Sequence, residues 1–171
     1  MEKAVFFDRD GVINKAIVKD GKPYPPSDIT QFEWNEKIEE VLDYVKSLGY
    51  LAFIFTNQPD VARGAQTKEN VESIHKLILS KLSIDEIYCC YHDSGDNCEC
   101  RKPKPGMLYE AQNKYNIDLG KSFVIGDRWR DIEAGKQAGC KTIFIDYHYD
   151  ESLKSRPDYV IDRIQEVLYV I

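Results

Sequence analysis

Short apolar runs alternating with amphipathic helical stretches constrain this chain more than any single residue does. Runs near residues 4–7, 51–56, 86–91, 122–126 and 141–145, with a shorter one at 158–161, read as strands. Between the first two, Ile38, Val41, Leu42, Val45 and Leu48 repeat at helical spacing until Gly49 ends the pattern. A second helix opens near Thr67, with Val71, Ile74, Leu77 and Ile78 on one side and Lys68, Glu72, Lys76 and Lys81 free to face water. Pro105 fits the first turn of a third helix bearing Leu108 and Ala111, and Asp131 to Ala138 forms a fourth stopped by Gly139. Strands alternating with helices predict an α/β fold: a parallel sheet with helices on both faces, in three layers.

The 171 residues, 43% of them hydrophobic, support one domain over residues 1–171, with a real core and room for only a small lid. The stretch Met1-Glu2-Lys3-Ala4-Val5 is too short in apolar residues for a signal peptide, and Leu51 to Phe55 is too short to span a bilayer. A cytoplasmic protein with no membrane partner is expected. A net charge of -6 argues against a nucleic-acid partner.

The ends of the strands carry the chemistry. The first gives Asp8 and Asp10 before Gly11, the second Thr56-Asn57-Gln58, the third Cys90 and His92, and the fourth Gly126-Asp127 with Asp131 a turn later. In an open α/β sheet all of these lie on the carboxyl rim, where ligands bind. Such a rim suits attack on a phosphate monoester, whose negative oxygens demand an in-line nucleophile and nearby cations. Asp8 is the expected nucleophile and Asp10 the acid and base; the Asp8 side chain, the Asp10 carbonyl and Asp127 are expected to hold Mg²⁺. Thr56 and Asn57 are expected to donate to phosphate oxygens, and Lys102 to supply a compact positive charge. Each residue alone also suits a cap or turn; their order is what points to chemistry.

Five cysteines without a secretory signal argue against a disulfide framework. On a strand, Cys90 and His92 share a face while Cys89 points into the opposite layer. With Cys98 and Cys100 they make three thiolates and one imidazole, a complete tetrahedral set for a structural Zn²⁺. Metal binding of this kind supplies on the order of 10 kcal/mol, enough to order Asp93 to Asn97, which has almost no apolar content. The competing reading is a reduced, metal-free cluster or a disulfide. The loop runs directly into Arg101 and Lys102 and would fix both over the pocket. Cys140 reads as a buried inert thiol, and His75 and His148 as surface residues without partners.

The ordered set resembles the haloacid dehalogenase (HAD) superfamily, with Asp8-Arg9-Asp10-Gly11, Thr56-Asn57, Lys102 and Gly126-Asp127 plus Asp131 as its four motifs. More narrowly it is similar to subfamily IIIA, the nearly capless group of heptose bisphosphate and histidinol-phosphate phosphatases. The residues carrying this are Asp8 to Asn14, Thr56-Asn57-Gln58, Ala62-Arg63-Gly64, Cys90-Tyr91-His92, Cys98 to Pro103 and Pro105-Gly106-Met107. The resemblance implies a Rossmann-like core without a large cap, a structural zinc, and Mg²⁺-dependent hydrolysis of a small sugar or polyol phosphate. A heptose bisphosphate is the first substrate expectation and histidinol phosphate the second. A zinc-stabilised binding module without turnover is the alternative of another class. Arg101 resembles the family's substrate-recognising arginine, and Asn14, Gln58, Arg63 and Arg128 are further candidates for the substrate rim. Pro59-Asp60, the short loop from His92 to Cys98 and the lengthened Lys15 to Pro26 segment depart from the heptose enzymes, all on the substrate side. A monomer is expected.

Overall fold

A computed structural model describes residues 1–171. Six strands form one sheet in the order β5-β4-β1-β6-β7-β8. They are β1 (Ala4–Phe7), β4 (Leu51–Asn57), β5 (Glu86–Cys90), β6 (Phe123–Gly126), β7 (Lys141–Ile145) and β8 (Tyr159–Ile161). All neighbouring pairs are parallel. Four α-helices cover the sheet: α1 (Ile38–Ser47), α2 (Lys68–Lys81), α3 (Gly106–Tyr115) and α4 (Trp129–Ala138).

The period-two alternation of the strands divides the core. Val5 and Phe7 of β1, Ala52 and Ile54 of β4, and Ile125 of β6 pack with α1 and α2. Ala4, Phe6, Phe53, Phe55 and Val124 pack on the other face with α3 and α4. Because both faces are covered, these strands are apolar throughout and not merely alternating, which is why they stood out in the sequence. Thr67 caps α2 as expected, its hydroxyl accepting from Asn70 N at 3.2 Å, and Gly139 ends α4 at φ 80°. Pro105 lies one position before α3, at its N-cap.

β1 is flanked by β4 and β6, so the chain leaves it to one side and returns to the other. That reversal opens a crevice at the carboxyl ends of β1 and β6. A hairpin that the sequence pattern did not announce, β2 (Ile17–Lys19) with β3 (Lys22–Tyr24), rises beside the crevice. It occupies the segment noted as lengthened. No helix is long and apolar enough to cross a membrane.

Candidate active site

Asp8 N donates to Ile125 O at 2.9 Å, extending the β1 ladder by one residue and placing the Asp8 side chain beside the end of β6. The chain then turns at Gly11, with φ 92°. A Cβ at this position would overlap the Asp127 carboxylate, so glycine serves both the turn and the close approach of two acidic strand ends.

Lys102 Nζ is the hub of the site. It lies 2.9 Å from Asp8 Oδ1 and 2.7 Å from Asp131 Oδ1, donates to Phe55 O at 2.8 Å, and sits 4.1 Å from the centre of the Phe55 ring. Its backbone is clamped by Asn57, whose Oδ1 accepts from Lys102 N at 3.0 Å and whose Nδ2 donates to Lys102 O at 3.1 Å. Asn57 was expected to donate to phosphate. It lines the pocket, and its amide also holds the lysine, because Lys102 enters on a loop with no ladder of its own.

Asp8, Asp127, Asp131 and Lys102 are all buried. Burial pushes the Asp8 carboxyl up to about 7, Asp131 adding to the rise and Lys102 opposing it. Burial, then Asp8 and Asp131, raise the Asp127 carboxyl well above the usual range. Burial also works against the Lys102 ammonium, but Asp131 and Asp8 outweigh it and hold its pKa above the ordinary lysine value.

Three carboxylates against one ammonium leave an excess of negative charge in a dry place. Both Asp127 oxygens are buried without a hydrogen-bond partner, and one oxygen each from Asp8, Asp127 and Asp131 lie within 4.8 Å of one another. An all-oxygen set with surplus charge fits a hard divalent cation such as Mg²⁺. Asp131, part of the fourth motif but without an expected role of its own, belongs to this trio and also accepts from Arg128 N at 3.0 Å. The Asp10 side chain does not belong to it.

Asp10 lines the pocket, and both of its carboxylate oxygens accept hydrogen bonds from neighbouring side chains. It accepts from Arg9, from Asn14 Nδ2 at 3.0 Å and from Gln58 Nε2 at 2.8 Å. Asn14 and Gln58 were expected on the substrate rim; both are instead buried beneath it. The tight turn at Gly11 folds Asn14 back to bridge with Asp10, and Gln58 also donates to Thr56 Oγ1 at 3.0 Å. His75, expected at the surface, is 8% exposed and stands 3.2 Å from Arg9 Nη1. Its place on the Val71-Ile74-Ile78 face of α2 was the signal for burial. His148 is exposed, beside Asp146 at 3.2 Å.

The crevice is a cavity of about 270 Å³ lined mostly by charged and hydrogen-bonding side chains, which suits a hydroxylated, anionic ligand. Arg63, Arg101 and Arg128 stand on its rim as expected, together with Arg130, which no sequence motif marks, and Pro23, Tyr24 and Pro25 of the hairpin side. Arg63 pairs with Asp93 at 2.6 Å and Arg128 with Glu151 at 2.6 Å, while Arg101 donates to His92 O at 3.1 Å. Arg130 lies 4.9 Å over the Trp129 ring.

Cys90, His92, Cys98 and Cys100 come together beside this rim. Cys90 and Cys98 sulfurs are 3.7 Å apart, Cys90 and Cys100 3.1 Å, and His92 Nδ1 lies 3.3 Å from Cys100 Sγ. Ligands about 2.3 Å from a tetrahedral zinc stand roughly 3.7 Å from one another, so the cluster has the dimensions of such a centre. Cys140 is buried, as expected.

Residues 99–167 match the HAD-hydrolase-like family. The D-glycero-beta-D-manno-heptose-1,7-bisphosphate 7-phosphatase of Helicobacter pylori (strain ATCC 700392 / 26695) is 38% identical over 147 residues, 81% of this chain and 80% of its own. The D-glycero-alpha-D-manno-heptose-1,7-bisphosphate 7-phosphatase of Campylobacter jejuni is 38% identical over 151 residues, 84% of this chain and 81% of its own. A crystal structure of D,D-heptose 1,7-bisphosphate phosphatase from B. bronchiseptica, complexed with magnesium and phosphate, shares the fold. Its TM-score is 0.79 at 24% identity, covering 98% of this chain and 97% of that one. Fold and site define a phosphoric monoester hydrolase of the HAD class. The chain belongs to the family of HAD-like phosphatases that contains these heptose bisphosphate 7-phosphatases.

Proposed function

We propose that this chain removes one phosphate from a small phosphorylated sugar, D-glycero-D-manno-heptose 1,7-bisphosphate first among substrates, through a phosphoryl group carried on Asp8. The observation that carries this reading is the convergence of Asp8, Asp127 and Asp131 on Lys102 at the floor of a polar crevice. The relatives' names supply the sugar, and they include both anomers.

An Asp8 carboxylate oxygen attacks phosphorus, and the bond between phosphorus and the sugar oxygen breaks as Asp10 gives that oxygen a proton. Water then attacks the phosphorus; Asp10 takes its proton, inorganic phosphate leaves, and the Asp8 carboxylate returns. Lys102 keeps its charge beside Asp8 throughout and offsets the negative charge that gathers there. Asp131 and Asn57 hold Lys102 by its two ends. Thr56 and the rim arginines Arg63, Arg101 and Arg128 orient the substrate. Asp8, Asp127 and the Asp10 carbonyl would hold Mg²⁺, which would supply charge neutralisation at the reacting phosphate. Cys90, His92, Cys98 and Cys100 would hold Zn²⁺, which would order the loop that leads into Arg101 and Lys102. The chain acts as a single-domain cytoplasmic monomer.

The test is release of inorganic phosphate, with Mg²⁺, from a panel of phosphosugars and histidinol phosphate ranked by kcat/KM. The heptose bisphosphate is expected to lead by at least about 100-fold, a margin that rim contacts to a second charged group can supply. Histidinol phosphate in first place would overturn the substrate assignment.

A further inference from the structure

Arg9 is the largest side chain in the molecule to be wholly buried, and the chemistry above gives it no task. Its guanidinium is divided between two partners. Nε and Nη2 donate to the Asp10 carboxylate at 3.0 to 3.2 Å, and Nη1 faces His75 Nε2 at 3.2 Å. Since a guanidinium only donates, Nε2 must be the accepting nitrogen, which fixes His75 as the neutral tautomer with its proton on Nδ1. Burial and the neighbouring Arg9 charge agree, holding the His75 pKa down to about 3.

His75 sits on the core face of α2, between Val71 and Ile78, so its ring is carried by a packed helix and not by a loop. A planar fork held at Nη1 presents its other edge in one orientation, and that edge sets the plane of the Asp10 carboxylate. Asn14 and Gln58 complete the hold. Without an acceptor at position 75, a buried N–H would be left unpaired and the fork would turn to satisfy it.

We propose that His75 is a positioning residue for the acid–base step, setting the orientation of Asp10 through the Arg9 guanidinium. The proposal rests on the reading of Asp10 as proton donor to the leaving oxygen. Its signature is dependence on the leaving group: an alkoxide needs that proton, a nitrophenolate does not. The ratio kcat/KM covers only the steps up to departure of the alcohol, so later hydrolysis on Asp8 does not enter.

The experiment compares kcat/KM for a sugar phosphate and for p-nitrophenyl phosphate, with Mg²⁺, across variants at two positions. His75→Leu and His75→Asn are expected to lower the sugar phosphate value by about 10- to 100-fold and the aryl value by less than about threefold. His75→Gln, whose Oε1 can reach the place of Nε2, is expected to keep the wild-type ratio between substrates. If the leucine variant fails to fold, the contrast between asparagine and glutamine decides. Equal losses on both substrates, or asparagine and glutamine variants that behave alike, would overturn the proposal. Asp10→Asn must show the same selectivity more strongly. A non-selective Asp10→Asn removes the acid–base reading and the clamp with it, whereas a selective Asp10→Asn beside a non-selective His75→Asn removes the clamp alone.

Discussion

The phosphate site and the cysteine cluster pose one problem, several anionic ligands in a small space, and meet it differently. Asp8, Lys102, Asp127 and Asp131 come from separate strand ends and loops, and the sheet brings them together. The four zinc-type ligands fall within residues 90–100, largely on a loop whose other side chains are mostly exposed. The first cluster is fixed by a core that exists without it. The second has almost no apolar content, and on the proposed reading a metal would supply its order. A lesion in the first should therefore damage chemistry and spare the fold, while a lesion in the second should damage the loop first and chemistry through it.

Asp8→Asn gives the largest expected effect. Phosphate release should fall by about 10⁴-fold or more. Metal-free protein should gain stability above pH 7: the folded Asp8 pKa, about 7, lies above its unfolded value, so the buried carboxylate is a cost there that asparagine removes. A loss of stability in denaturant titrations would break the comparison.

Cys98→Ser or Cys100→Ser comes next. Elemental analysis of wild type purified without added metal should find about one zinc per chain, and the variants should lose it. Activity should then fall by about 10- to 100-fold, the scale on which removing support from a metal-organised site acts. Near-UV and proteolysis signatures should place the change in the 90–100 loop. Full activity without zinc would separate the two regions altogether.

The smallest effect concerns the core beneath the site. His75 is depressed from an unfolded value near 6.5 to about 3, so its neutral form stabilises the fold above pH 6.5 and that contribution is lost as pH falls toward 3. Between pH 7 and 5.5 the wild type should lose about 1 kcal/mol more than His75→Gln in urea unfolding. Parallel profiles would mean the histidine stays unprotonated for another reason.

Much of this architecture was legible because buried parallel strands are apolar on both faces and end where chemistry begins. The strand ends at Asp8, Thr56 and Asp127 lie where the sequence places them. The β2–β3 hairpin escaped notice because Lys19, Asp20, Gly21 and Lys22 are polar and Pro23 sits within a strand, leaving no periodic signal. Asn14 and Gln58 were visible as polar residues near the motif, but their burial follows from how the Gly11 turn and the β4 end close around Asp10. The contact between Arg9 and His75 joins residues 66 positions apart, a pairing that local spacing does not encode.

The hairpin beside the crevice is small, with Pro23, Tyr24 and Pro25 on the lining and Gly21 O accepting from Asp150 N at 3.0 Å. Nothing of that size swings shut like a jaw. A leaving group large enough to reach Pro23, Tyr24 and Pro25 would itself keep water from the reacting phosphorus. Catalytic power in such an enzyme is partly brought in by the guest.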